Sequence, residues 1–279
     1  MNRVLVVDDD RVTLHPLQSV LTQAGFDVTT ANDGAQALEL AQRPGAAAPD
    51  LILLDVWLPG MSGLDVLSRL RADGIQARVV VMTSDDTPET LLQALRGQAL
   101  HFVSKPIAPD ALVELVKGAL ASASVPGIEI VSATTNWVEL VVPCTREAAA
   151  RIEGFMTHLE GGMTAEVRES VGYAFRELLL NAVEWGGKLD PNRKVRIAYL
   201  RAKRMVLYRI ADPGPGFRLE DLDHAAISHE GNPIEHMKYR DEKGLRPGGF
   251  GLLLVTAKVD ELLYNEARNE VVFVKYLDQ

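Results

Sequence analysis

Cysteine is almost absent: Cys144 is the only one in 279 residues. That excludes an internal disulfide framework and fits a reducing compartment. Long apolar runs are also missing. None approaches the ~18 residues of a membrane-spanning helix, and the chain runs at once into the apolar stretch Val4 to Val7. No secretory leader and no membrane partner are expected, and the location expected is cytoplasmic. Positive charge is in deficit, with 29 Lys and Arg against 38 Asp and Glu and a net charge of −9. Broad nucleic-acid binding needs Lys and Arg to displace counterions. No basic helix-turn-helix-like segment lies near the C-terminus, so no nucleic-acid partner is expected. What is present is ample core-forming material, 47% apolar residues, over a length that implies about two domains.

The first part of the chain alternates short apolar runs with amphipathic stretches. The runs are Val4 to Val7, Val28 to Thr30, Leu51 to Leu54, Val79 to Met82 and His101 to Val103. Helical patterns fall between them, at about 11–24, 34–43, 63–73, 88–96 and 109–121. Thr87-Pro88 is a helix start, with a capping residue before proline at the first helical position. Five βα units predict a doubly wound parallel sheet. The small-residue stretch 122–127 marks a linker between domains 1–121 and 128–279.

The second part has another rhythm. A strand from Trp137 to Val142 precedes helices at about 145–160 and 164–185. Strands follow at Lys194 to Leu200 and Met205 to Ala211. A long polar segment, 217–247, leads to a helix from Gly251 and to strands near Glu261–Tyr264 and Val271–Tyr276. Helices on one face of a mixed sheet predict an α/β sandwich.

Ligand sites of doubly wound sheets form beyond the carboxyl ends of the strands. Asp8 and Asp9 close the first run, Asp55 the third, Thr83 the fourth and Lys105 the fifth. Clustered carboxylates favour a hard cation such as Mg²⁺. One carboxylate can attack a phosphoryl group and become an acyl phosphate. Lys105 would stabilise the phosphate charge, and Thr83 would donate to a phosphate oxygen. Taken singly, each residue has a plainer role: Asp9 or Asp10 as a helix cap, Asp55 as the opening of the Pro59-Gly60 turn, Thr83 as a cap, Lys105 as a solvated charge. All of them at successive strand ends argue for a site.

On these residues, 1–121 resembles the receiver domain of two-component response regulators, a flavodoxin-like (βα)5 fold. The resemblance implies Asp55 as the phosphoacceptor, with Asp8, Asp9, Asp55 and the Trp57 backbone carbonyl serving Mg²⁺. It implies Thr83 and Phe102 as a switch pair, a cis peptide at Lys105-Pro106, and an upstream histidine kinase or phosphotransfer protein as donor.

Glu177 and Asn181 are four apart and share one helix face. Asn offers a neutral oxygen ligand to Mg²⁺, and Glu can act as a general base. Asp212 follows a strand, where a buried carboxylate can accept from the exocyclic amine of adenine. Gly214 and Gly216 permit close backbone approach. Gly248, Gly249 and Gly251 precede a helix whose free N–H groups attract phosphate. Lys243 and Arg246 lie in the intervening segment, from which they could reach the γ-phosphate, although solvated side chains are the ordinary case there. A glycine pair alone is normally just a turn, and Glu with Asn is normally a solvated face. It is the ordered set that points to ATP.

In that order the residues resemble the GHKL ATPase superfamily, the Bergerat fold. Glu177 to Asn181 match its N box, Asp212 to Gly216 its first glycine box and Gly248 to Leu252 its second. The subgroup most resembled is the anti-sigma-factor serine/threonine kinases. That implies Asn181 as Mg²⁺ ligand, Asp212 as adenine contact, Glu177 as catalytic base, and a downstream antagonist or sigma-factor-like protein as partner; such domains often form homodimers. The function expected is a response regulator with a serine/threonine protein kinase output. The alternative is a nucleotide-dependent binder of a sigma factor or antagonist without phosphoryl transfer. An autophosphorylating histidine kinase is disfavoured, because 122–127 has no room for a histidine-bearing helical hairpin.

Overall fold

The computed structural model describes residues 1–43, 45, 48–75, 77–84, 87–121, 127–159, 161–217 and 251–277. They form two compact units, Met1–Val125 and Pro126–Gln279. The expected linker lies outside the described residues except for Gly127, and the expected polar segment except for Phe217.

The first unit runs β1 (Arg3–Val7), α1 (Arg11–Gln23), β2 (Asp27–Ala31), α2 (Gly34–Ala41), β3 (Leu51–Asp55), α3 (Gly63–Ala72), β4 (Arg78–Thr83), α4 (Pro88–Arg96), β5 (His101–Ser104) and α5 (Pro109–Ala121). Its strands are parallel in the order β2-β1-β3-β4-β5. Burial on both faces explains why β3 and β4 read as unbroken apolar runs rather than as alternation; every residue of β3 is buried. Helices α1 to α4 start on capping side chains. Asp10 accepts from the Val12 N–H at 2.9 Å, and Thr87 from the Thr90 N–H at 3.4 Å. Asp10 is thus the helix cap, which leaves Asp8 and Asp9 for the strand end.

One glycine fixes the approach of α3 to β3. Gly63 N–H donates to the Val56 carbonyl at 2.9 Å, and a Cβ on Gly63 would stand 1.9 Å from the Asp55 carbonyl oxygen. Backbone meets backbone there, so neither side can yield cheaply. Gly63→Ala is expected to cost about 1–3 kcal/mol through overpacking, read as a lower urea midpoint for the first unit. An unchanged midpoint would count against this packing account.

The second unit contains β6 (Glu129–Thr134), β7 (Trp137–Pro143), α6 (Arg146–Leu159), α7 (Ala165–Asn181), β8 (Lys194–Ala202), β9 (Met205–Ala211), α8 (Gly251–Lys258), β10 (Glu261–Tyr264) and β11 (Glu270–Tyr276). The sheet order is β10-β11-β9-β8-β7-β6. A mixed sheet was expected, yet every neighbouring pair is antiparallel. The reason lies in the connections. Two successive helices, α6 and α7, carry the chain out and back, so β8 returns antiparallel to β7; a single crossover helix would have made the pair parallel.

Alternate residues of the central strands face the helices. Val138, Leu140 and Val142 of β7, Ile197 and Tyr199 of β8, and Tyr208 and Ile210 of β9 are buried. Against them lie Ile152, Phe155, Met156 and Leu159 of α6 and Val171, Ala174, Phe175 and Leu178 of α7. Tyr208 is the hub: its ring lies 4.9 Å from Phe175, 5.0 Å from Tyr199 and 4.9 Å from Phe273. The helix expected at 164–185 is shorter. It ends at Asn181 and passes into one π-helical turn, Ala182–Gly186. Such turns cluster at functional sites. Among the described residues, no helix is long and apolar enough to cross a membrane.

Candidate functional sites

At the carboxyl edge of the first sheet the structure gathers the expected carboxylates. One oxygen from each of Asp8, Asp9 and Asp55 lies within 4.8 Å of the others. Asp8 and Asp55 are buried; Asp9 is exposed. Lys105 Nζ bridges two of them, 2.5 Å from Asp8 Oδ2 and 2.8 Å from Asp55 Oδ2. Asp8 Oδ1 is held by the Asp10 N–H at 3.0 Å. The other oxygen of Asp55, Oδ1, is buried and has no hydrogen-bond partner among the described residues. Thr83 is fully buried at the end of β4, and Phe102 is buried in β5. The Lys105-Pro106 peptide is cis.

The charges explain the titration of the group. Burial, with the like charge of Asp8, pushes the Asp55 carboxyl above its ordinary value, against the hydrogen bond from Lys105. Burial would lower Lys105, but its hydrogen bonds to Asp55 and Asp8 outweigh that and raise it. Three carboxylates against one ammonium leave two negative charges in excess. An orphaned buried oxygen beside that excess fits a divalent cation with oxygen ligands.

In the second unit, Asp212 follows β9 and is half-buried. Its Oδ1 accepts the Gly214 N–H at 2.7 Å. Glycines press on this carboxylate from two sides. A Cβ on Gly186 would stand 2.2 Å from its Oδ1, and one on Gly214 would stand 2.7 Å from the same oxygen. Burial pushes the Asp212 carboxyl up, against the Gly214 N–H and the nearby charge of Arg193. Gly216 has φ +83, and its missing Cβ would stand 1.6 Å from the Ala267 carbonyl oxygen. A side chain there is excluded twice, by conformation and by contact.

Glu177 and Asn181 are half-buried on α7. Glu177 faces the start of α8: a Cβ on Gly251 would stand 2.3 Å from Glu177 Oε2. The fold thus brings the helix of Glu177 and Asn181 to the helix that Gly251 opens. Gly248, Gly249, Lys243 and Arg246 lie outside the described residues. The sequence reading missed Gly186 and Gly63. Each is one glycine among 22, and the Gly186-Gly187 doublet closing the π turn after α7 was the one signal for the former.

Residues 4–117 match the response regulator receiver domain, and residues 142–275 match the histidine kinase-like ATPase domain. The DNA-binding response regulator MtrA of Mycolicibacterium smegmatis is 34% identical over 205 residues, covering 72% of this chain and 87% of that protein. The response regulator MprA of Mycobacterium leprae is 34% identical over 148 residues, covering 53% and 63%. Among solved structures, a CheY-like receiver domain from Methanospirillum hungatei covers 43% of this chain and 94% of its own, at 26% identity and a TM-score of 0.41. The chain belongs to the response regulator family. More particularly, it joins a receiver domain to a histidine kinase-like, GHKL-type ATPase domain, which implies ATP binding.

One expectation is corrected. The net charge led to an expected absence of any nucleic-acid partner, yet MtrA relatives are DNA-binding response regulators. Net charge averages over two units, whereas DNA contact depends on local basic surface. The domain following the receiver here matches an ATPase rather than a DNA-binding domain.

Proposed function

We propose that this protein takes up a phosphoryl group on Asp55 and thereby controls an ATP-dependent serine/threonine protein kinase of anti-sigma-factor type. An Asp55 oxygen attacks phosphorus, the donor's bond to phosphorus breaks, and an acyl phosphate forms. Lys105, already 2.8 Å from Asp55, balances the arriving charge. Thr83, buried at the neighbouring strand end, donates its hydroxyl to a phosphate oxygen. Asp8, Asp9, Asp55 and the Trp57 carbonyl would hold Mg²⁺, which when bound neutralises the two excess charges. Modification of Asp55 replaces a carboxylate by a bulkier dianion and repacks the Thr83–Phe102 region, a local change able to bias a distant equilibrium.

In the second unit Asp212 would accept the exocyclic amine of adenine. Gly214 and Gly216, with Gly248, Gly249 and Gly251, would let the main chain approach the nucleotide. Asn181 would serve its Mg²⁺. Glu177 would take the proton of an attacking hydroxyl or order it.

The observation that carries the kinase reading is Glu177 set against Gly251. A pure binder needs Asn181 and the glycines, but no base. The test is labelling of a proteome from the source cell with γ-labelled Mg-ATP. Phosphoserine or phosphothreonine on a protein substrate, formed by wild type and lost in Glu177→Gln while ATP binding persists, is expected. Equal labelling by Glu177→Gln would refute the base, and no labelling by wild type would leave a nucleotide-dependent binder.

A further inference from the structure

The turn Asp212 to Phe217 is gripped from outside by groups that no catalytic role requires. Arg193 Nη2 donates to the Pro213 carbonyl at 2.5 Å. Asn269 Nδ2 donates to the Gly214 carbonyl at 3.0 Å. The Asp212 N–H donates to the Asn269 carbonyl at 2.8 Å, and the Phe217 N–H to the Ala267 carbonyl at 3.2 Å. The short hairpin between β10 and β11 therefore fastens both ends of the turn and its middle.

Asn269 is itself locked. Its Oδ1 accepts from Asn265 Nδ2 at 2.8 Å, and its N–H donates to Asn265 Oδ1 at 3.1 Å. Asn265 Oδ1 also accepts the Glu270 N–H at 3.2 Å. Beyond this pair, the Arg268 guanidinium lies 5.9 Å over the Phe217 ring, and Phe217 meets Tyr264 edge-on at 5.7 Å. A side-chain amide with one donor committed to the turn and its acceptor committed to a second amide has one orientation.

The consequence falls on Asp212. Its Oδ1 is already taken by the Gly214 N–H. Where Gly214 sits therefore decides how the carboxylate is turned, and Asn269 decides where Gly214 sits. Among the described residues, Asp212 Oδ2 accepts no hydrogen bond from the protein. A carboxylate with one oxygen fixed and one open accepts a single donor from a base edge. It suits a 6-aminopurine, whose edge donates, and repels a 6-oxopurine, whose edge accepts.

We propose that Asn269 is a positioning residue for purine selectivity, holding the glycine turn so that Asp212 presents one oxygen to an amino edge. The inference rests on the nucleotide reading above and deepens it. The test is calorimetry of the full chain with Mg-ATP and with Mg-GTP. Wild type should bind ATP and discriminate against GTP. Asn269→Asp keeps the acceptor for Asn265 and loses the donor to Gly214. It should weaken ATP by roughly three- to tenfold, the worth of one hydrogen bond, and narrow the ATP-to-GTP ratio. Asn269→Ser, which keeps a short donor, should fall between. A purely structural role would lower the melting temperature and both affinities together, leaving the ratio unmoved, and that result would overturn the proposal. A wild-type chain that binds neither nucleotide would defeat the nucleotide reading and this inference with it. A wild type that binds ATP, with variants of unchanged ratio, would defeat this inference alone.

Discussion

Asp55→Asn is expected to take up no phosphoryl group from a small acyl-phosphate donor, while wild type gains one, as intact mass would show. The amide keeps the volume of the side chain but offers no oxygen nucleophile able to form the acyl phosphate. The effect should be all or nothing, because the other carboxylates are differently committed. Asp8 is bridged by Lys105 and by the Asp10 N–H, and Asp9 is exposed. Lys105→Met should give a graded loss instead, since it removes a charge 2.8 Å from the acceptor and leaves the nucleophile. The same Asp55→Asn chain should bind Mg-ATP as wild type does. Modification of Asp55→Asn at the wild-type rate would place the acceptor elsewhere.

Asp212→Asn should move two properties in opposite directions. It replaces an acceptor of an amine donor by an amide whose NH₂ opposes it. The affinity for ATP should fall about 10- to 100-fold, the worth of a hydrogen bond to a charged group. Stability at neutral pH should rise. The sign follows from the pKa: burial raises the folded carboxyl above 3.8, so the folded chain holds its proton more tightly than the unfolded one. The stability this group contributes is present below 3.8 and lost as pH rises through the folded value. The asparagine variant escapes that loss. Its advantage in melting temperature at pH 7 should shrink on acidification and vanish once the pH falls below 3.8. A variant that melts lower at pH 7 would show that the Gly214 and Arg193 interactions outweigh burial.

The first unit was nearly all legible, because its grammar is simple. Each strand is a short apolar run, each connection a helix, and each chemical residue stands at a strand end. Val79 to Met82 could only be interior, and Thr83 had to follow it. The second unit was less open. Strand β6 was overlooked because Glu129 to Thr134 interleaves Ile130 with Ser132 and Thr134, the weak pattern of an edge strand with little to bury. The π turn after Asn181 reads as ordinary helix in the sequence, because Ala182 and Val183 continue the apolar spacing of α7 and are buried with it. The strand sense was misjudged because sequence shows that helices intervene, not where they deliver the chain. Glu177, Asn181 and Asp212 were found by spacing. Gly186 and Asn269 were not, because their importance lies in what they touch, and those contacts join residues far apart in the chain.

Each of three carboxylates in these two units has a glycine where any other residue would intrude: Gly63 on the main chain of Asp55, Gly186 on the side chain of Asp212, Gly251 on that of Glu177. A single added methyl group would press on the main chain of Asp55 at Gly63, on the Asp212 carboxylate at Gly186, and on the Glu177 carboxylate at Gly251. Surrounding surface residues can drift freely over generations, whereas these small positions should stay frozen. A saturation library of the whole chain should therefore show its sharpest intolerance at residues that carry no chemistry of their own.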